Sequence, residues 1–181
     1  MKITNTLIPE VKIIEPTVFK DERGFFLESY HAEKLATVLG LPELQFVQDN
    51  HSQSSQGILR GLHYQLEHTQ GKLVRVTTGR VYDVCVDMRA HSETLGQWVG
   101  VELSSDNFKQ LWVPEGFAHG FYVLSDVAEF QYKCTDYYHP QSEISVSYDD
   151  PYLNIDWPLL SPPALSEKDT IGMSFNSAPK I

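Results

Sequence analysis

The sequence predicts an all-β fold of sandwich or barrel type. Three observations carry this. Many short stretches alternate apolar and polar residues, turn residues divide them at short intervals, and one stretch alone has helical spacing. The sharpest alternation is at Ala128–Thr135. There Ala128, Phe130, Tyr132 and Cys134 share one face, while Glu129, Gln131, Lys133 and Thr135 share the other. The absence of a strand–helix–strand rhythm and of a phosphate-binding glycine loop argues against a Rossmann fold or a P-loop.

Taken in order, residues 1–30 read as short strands and turns. Val11-Lys12-Ile13-Ile14 is apolar, Glu15-Pro16 breaks it, Asp21-Glu22-Arg23-Gly24 turns, and Gly24–Tyr30 is a strand. Residues 31–40 are the helix: Leu35, Val38 and Leu39 fall on one face, Ser29 is the candidate cap, and Gly40 followed by Leu41-Pro42 ends it. Phe46–His51 and Ser52–Gln56 are polar enough to read as a loop, or as a surface that hydrogen-bonds a polyhydroxyl or nucleobase ligand. Residues 71–89 read as a hairpin turning at Thr78-Gly79-Arg80. On its first strand, Lys72 shares a face with Val74 and Val76. An inward lysine is costly unless it meets an anion or snorkels out at the strand end. Val99, Val101 and Leu103 share a face, and Ser104–Asn107 turns. Asp136–Pro140 places aromatics at a rim, and a strand follows at Ile144–Tyr148. After Asp149, Pro151, Pro158, Pro162 and Pro163 prevent long elements, Ser166–Asp169 opens a helical turn, and the tail Asn176–Ile181 reads as loosely ordered.

A chain of 181 residues with 41% apolar and 21% charged residues suits one domain. Its net charge of −10 argues against a general nucleic-acid or membrane binder, although local arginines can still hold a small anion. No apolar run approaches the ~18 residues of a membrane span, and the first residues lack a signal-peptide core. Cys85 and Cys134 are far apart, each inside a strand pattern. They read as free buried thiols of a cytoplasmic protein.

The chemistry concentrates at Gly57–Gln65. Ile58, Leu59 and Leu62 want burial; Arg60 and His63 do not unless something binds them. The bland reading is an edge strand with a solvent-facing arginine and a satisfied core histidine; the functional one is the floor of a site. Strict alternation sends Arg60 and His63 to opposite faces, so both serve one site only if Gly61 marks a bulge or Arg60 sits at a barrel mouth. Tyr132 points inward, where its hydroxyl needs a partner. Pro114-x-Gly116-x-x-His119 resembles the second motif of the cupin superfamily. That resemblance makes a cupin-type jelly-roll β-barrel with short flanking helices the leading fold. A metal-binding cupin normally supplies His-x-His, but the corresponding place reads His63-Tyr64-Gln65, and Gln65 is a poor ligand for a borderline metal. His63, Lys72, Tyr132 and His119 suit acid–base chemistry instead: a histidine takes a proton, a lysine stabilises the enolate, a tyrosine returns a proton.

The chain resembles the dTDP-4-dehydrorhamnose 3,5-epimerase family. The matching segments are Asp21–Phe26, Gln48-Asp49-Asn50, Gly57–Gln65, Gln70–Val76, Leu111–Phe121, Ala128–Thr135 and Leu165–Asp169. The resemblance implies epimerisation at carbons 3 and 5 of a dTDP-4-keto sugar, in dTDP-L-rhamnose biosynthesis. His63 would be the base, Asp169 its hydrogen-bond partner, Lys72 the enolate stabiliser and Tyr132 the acid on the opposite face. Arg60 and Arg23 would hold the diphosphate. Phe26, Glu28, Gln48, Asp49 and Asn50 would line the nucleotide and sugar pocket, Tyr138 would stack on thymine, and His119, Glu143 and Lys168 would complete the shell. The family implies no cofactor and no metal. It also implies a homodimer in which an N-terminal region, about residues 1–50, is exchanged between chains, ahead of a Pro-rich C-terminal segment, about 150–181. Rival readings are a single-carbon epimerase or ketoisomerase, a metal-dependent cupin oxygenase with His63 and His119 as ligands, and a non-catalytic sugar-nucleotide binder.

Overall fold

Alternation of buried and exposed side chains is realised as thirteen strands, and residues 1–181 are described by a computed structural model. The strands are β1 (Lys2–Asn5), β2 (Lys12–Glu15), β3 (Val18–Asp21), β4 (Gly24–Leu27), β5 (Gln48–Ser55), β6 (Leu59–Gln65), β7 (Lys72–Thr78), β8 (Arg80–Asp87), β9 (Trp98–Ser104), β10 (Gln110–Val113), β11 (Phe117–Val123), β12 (Val127–Cys134) and β13 (Glu143–Ser145). Helix α1 (Ala32–Leu39) lies between β4 and β5, and α2 (Glu167–Thr170) lies near the C-terminus.

Two antiparallel sheets form the jelly roll. One has the order β1-β2-β10-β7-β12-β5, the other β13-β6-β11-β8-β9; β3 and β4 make a separate two-stranded ribbon. Between the sheets lies a core that includes Val74, Val76, Val81, Cys85, Leu111, Phe121 and Phe130. The second sheet is also covered on its outer face, where Leu62, Val84, Val86 and Tyr122 meet Leu153, Trp157, Phe175 and Ala178 of the C-terminal segment. Burial on both faces explains why β8 carries an unbroken apolar run at Val84-Cys85-Val86. A smaller cluster of Ile14, Leu35, Leu73 and Trp112 seats α1 on the outside of the first sheet.

Several local expectations need correction. The polar run at 48–55 is a strand, not a loop: β5 pairs with β12 along its whole length, from Gln48↔Cys134 to Ser55↔Val127. Its inward side chains face a wet cavity rather than a core, so composition does not betray the strand. The 71–89 stretch is not a hairpin. Strand β7 pairs with β10 and β12, whereas β8 pairs with β9 and β11, so Thr78-Gly79-Arg80 is a corner between sheets. Gly79 has φ +75°, and a Cβ there would lie 2.0 Å from the Val127 carbonyl oxygen. Helix α1 is capped by His31, whose Nδ1 accepts from the Lys34 N–H, and not by Ser29. Gly40 ends it in the left-handed conformation, as expected, but Val38 is exposed. The strands expected at 24–30 and 144–148 stop at Leu27 and Ser145. The tail is ordered by packing. Phe175 and Ala178 are buried, the Ile181 N–H donates to the Met88 carbonyl, and the Tyr64 hydroxyl donates to the Pro179 carbonyl. Both cysteines are free and buried, as expected, and no helix is long and apolar enough to cross a membrane.

Candidate active site

Strand β6 carries an extra residue. His63 lies opposite His119 of β11 and Arg60 lies opposite Phe121, so three steps on β6 match two on β11. Gly61 sits within this bulge at φ +118°. A Cβ there would lie 2.6 Å from Gly120 Cα and 2.7 Å from the His119 carbonyl oxygen. The bulge reverses the alternation, and Arg60 and His63 open onto one cavity of about 640 Å³.

His63 projects into this cavity from the second sheet; Lys72 on β7 and Tyr132 on β12 project from the first. Asp169, at 4% exposure, places Oδ1 2.5 Å from His63 Nε2. Its other oxygen accepts from Ser166 Oγ at 2.7 Å. Burial pushes the Asp169 carboxyl up, but the hydrogen bonds with His63 and Ser166 outweigh it, and the net direction is down. An ionised Asp169 accepts from the Nε2–H, which leaves the lone pair of His63 on Nδ1.

Burial lowers the affinity of Lys72 for its proton, opposed by Cys134, Glu143 and Asp83 nearby. The Tyr132 phenol is pushed up to about 12, first by burial and then by Cys134 and Glu143. It stays protonated at neutral pH and is an available donor. One wall can therefore accept a proton and the other can return one, beside a cation suited to a developing oxyanion.

Other expected residues gather around these three. Glu143 accepts from Lys168 Nζ at 2.9 Å and from the Tyr138 hydroxyl at 3.1 Å. Burial raises the Glu143 carboxyl, but Lys168, His63 and Tyr138 bring it down on balance. Gln48 donates to Asn50 and accepts the Tyr138 N–H. Arg60 Nε donates to Ser54 Oγ at 3.0 Å, which aims the guanidinium along the cavity wall. His119 faces the cavity and places Nε2 3.0 Å from both oxygens of Asp83.

Asp83 is fully buried and was absent from the expected set. The alternation sets it opposite the apolar run Tyr82, Val84, Val86 and Met88, but both faces of β8 are covered and Asp83 lies on the inward one with Val81 and Cys85. Burial pushes its carboxyl up, against the pull of His119 and Lys72. Gln65 and Ser166 were also not foreseen as supports. Four expected residues lie elsewhere. Asp49 faces out of β5 and pairs with Lys133 at 2.9 Å. Arg23 pairs with Asp21, Glu28 pairs with Lys34, and Phe26 is 69% exposed beside Phe25 on the β3–β4 ribbon. None of these four lines the cavity.

A jelly roll with a histidine–carboxylate pair, a buried lysine and an opposed tyrosine defines a cupin-type enzyme of acid–base isomerisation. Residues 5–177 match the model of the family described as dTDP-4-dehydrorhamnose 3,5-epimerase, and the chain belongs to that family of carbohydrate isomerases. It is 55% identical over 178 residues to a protein of that name from Pseudomonas aeruginosa, covering 98% of each chain. It superposes with a TM-score of 0.96 on a dTDP-6-deoxy-D-glucose-3,5-epimerase from Legionella pneumophila solved with dTDP-4-keto-L-rhamnose. Identity there is 56%, and 99% of this chain and 98% of that one are covered. A 3′-monoepimerase from Streptomyces bikiniensis, solved with dTDP-quinovose, gives 0.90 at 31% identity, covering 96% of this chain and 88% of that one.

Proposed function

We propose that the protein inverts carbons 3 and 5 of dTDP-4-dehydro-6-deoxy-D-glucose, giving dTDP-4-dehydro-L-rhamnose within dTDP-L-rhamnose biosynthesis. The observation that carries this reading is the opposition of His63, with Asp169 behind it, to Lys72 and Tyr132 across one cavity. His63 Nδ1 takes the proton from the carbon beside the ketone. The C–H electron pair becomes the enolate C=C bond, and the carbonyl pair moves to the carbon 4 oxygen, where the Lys72 ammonium stabilises it. The enolate collapses and its carbon takes the Tyr132 phenolic proton on the opposite face, which inverts the centre. Imidazolium and phenolate then exchange protons with water before the second carbon reacts.

Arg60 would bind the diphosphate and Tyr138 would stack on the base, with Gln48, Asn50, His119, Glu143 and Lys168 around the sugar. Arg23, Phe26, Glu28 and Asp49 fit a site completed by a second copy of this chain. The exposure of Phe19, Phe25 and Phe26 on the β3–β4 ribbon supports that assignment. Strands β1 and β2 pair with each other and, through β2, with β10 of their own chain. The proposed dimer-exchanging region of about residues 1–50 includes the β3–β4 ribbon. The place of work is the cytoplasm, where nucleotide sugars are made.

The test is turnover of dTDP-4-dehydro-6-deoxy-D-glucose with the product trapped by a 4-ketoreductase. Inversion at both carbons is the expected result. Inversion at carbon 3 or 5 alone would assign the single-carbon reaction, the activity named for the Streptomyces bikiniensis neighbour.

A further inference from the structure

Outside the reacting residues, three potential metal-binding side chains meet beside the cavity-lining Gln65 and Gln70, which hold their backbones. His68, Asp136 and His139 each offer one ligand atom, and these atoms all lie within 4.8 Å of one another. The two imidazoles are stacked, with centroids 3.8 Å apart and planes 10° from parallel. Asp136 Oδ2 lies 3.5 Å from His68 Nδ1.

The scaffold beneath this group is rigid. Gln65 is 4% exposed, and its side chain holds both segments at once. Its Nε2 donates to the His68 carbonyl at 2.6 Å and to the Tyr137 carbonyl at 3.2 Å, while its Oε1 accepts the His139 N–H at 2.6 Å. Gln70 Nε2 donates to the Asp136 carbonyl at 2.8 Å. His68 itself has φ +57°, a left-handed backbone uncommon for a non-glycine residue. Two buried or half-buried amides thus fix the backbones of all three residues, while their side chains reach solvent.

We propose that His68, Asp136 and His139 bind one divalent transition-metal ion, of the zinc, nickel, cobalt or copper class. Two imidazoles and a carboxylate with open positions match the preference of these ions for nitrogen and oxygen donors. Bonds of ~2.0–2.2 Å allow ligand atoms up to about 4.4 Å apart. The stacked rings direct their nitrogen lone pairs along nearly parallel planes, so binding also requires one imidazole, His68 being the exposed one, to turn out of the stack and bring its lone pair onto the ion. The ion would tie together both ends of the segment that carries Tyr138. That consequence rests on the proposed function; metal binding itself does not.

The test is titration of chelator-treated protein with cobalt(II), read by visible absorption, and with zinc, read by calorimetry. One ion per chain is expected. His68→Ala and His139→Ala should each weaken binding by more than the ~10–100-fold that an outer partner of a metal ligand controls. Both variants should melt as the parent does without metal, and only the parent should gain melting temperature when metal is added. Absence of stoichiometric binding would overturn the proposal, as would binding that survives both substitutions unchanged.

Discussion

Asp169 Oδ1 lies 2.5 Å from His63 Nε2, although 106 residues separate them in the chain. The contact favours one imidazole tautomer and, in the proposed mechanism, would compensate the positive charge formed when His63 accepts a proton. Asp169→Asn should therefore lower kcat by about 10²–10⁴ while KM changes little. Steady-state kinetics checks this; a loss carried by KM alone would make Asp169 a substrate contact instead.

Tyr132→Phe separates the two proton transfers. Removal of the substrate proton by His63 should persist, and completed inversion should fall by about 10²–10⁴. Solvent exchange and product formation, measured on the same sample, decide it. Equal loss of both would remove the separate-acid role from Tyr132.

In the proposed mechanism the alkaline limb of kcat reports Lys72. Burial lowers its pKa below 10.5, whereas the Tyr132 phenol is pushed up to about 12. As pH rises, the ammonium loses its proton first, so kcat should decline with a midpoint below the ordinary lysine range. A rate that holds until the phenol titrates would exclude a charged Lys72 from the mechanism.

Gly61→Ala tests the bulge. A Cβ would clash with Gly120 and the His119 carbonyl, in a backbone conformation that already disfavours side chains. A loss of at least about 3 kcal/mol in urea unfolding is expected. Parental stability would show that β6 can take another register.

A second carboxylate is a stability device rather than a catalytic one. Asp87 accepts from Arg89 Nε and Nη2, the Arg89 N–H, Ser92 Oγ and Thr94 Oγ1. Burial raises its carboxyl, but these bonds together bring it down to about 2. Its stabilisation is whole above the unfolded value of about 3.9 and is lost as pH falls from there through about 2. Asp87→Asn should cost about 2 kcal/mol at neutral pH and flatten acid unfolding across that window. Unchanged urea midpoints at neutral pH would contradict this.

The sequence revealed the inward faces of β7 and β12 because their apolar neighbours mark the core side; Lys72 and Tyr132 follow from that. It identified α2, but nothing local links Asp169 to His63, since their contact depends on how the C-terminal segment wraps the second sheet. A bulge at Gly61 was one of the two ways the sequence left for Arg60 and His63 to share a site, and the register of β6 against β11 selects it. Strand β5 escaped notice because a strand facing a wet cavity needs no apolar residues. Asp83 was missed because it lies on the face opposite the apolar run Tyr82, Val84, Val86 and Met88; that run packs under the C-terminal segment, and the Asp83 face turns inward to His119.

The most direct test is proton NMR of dTDP-4-dehydro-6-deoxy-D-glucose with the protein in deuterated water, run beside His63→Ala. The account predicts deuterium at carbons 3 and 5 with the parent. It predicts none with the variant, whose binding of dTDP should survive. Exchange by the variant at the parental rate, or none by the parent with binding intact, would contradict His63 as the base.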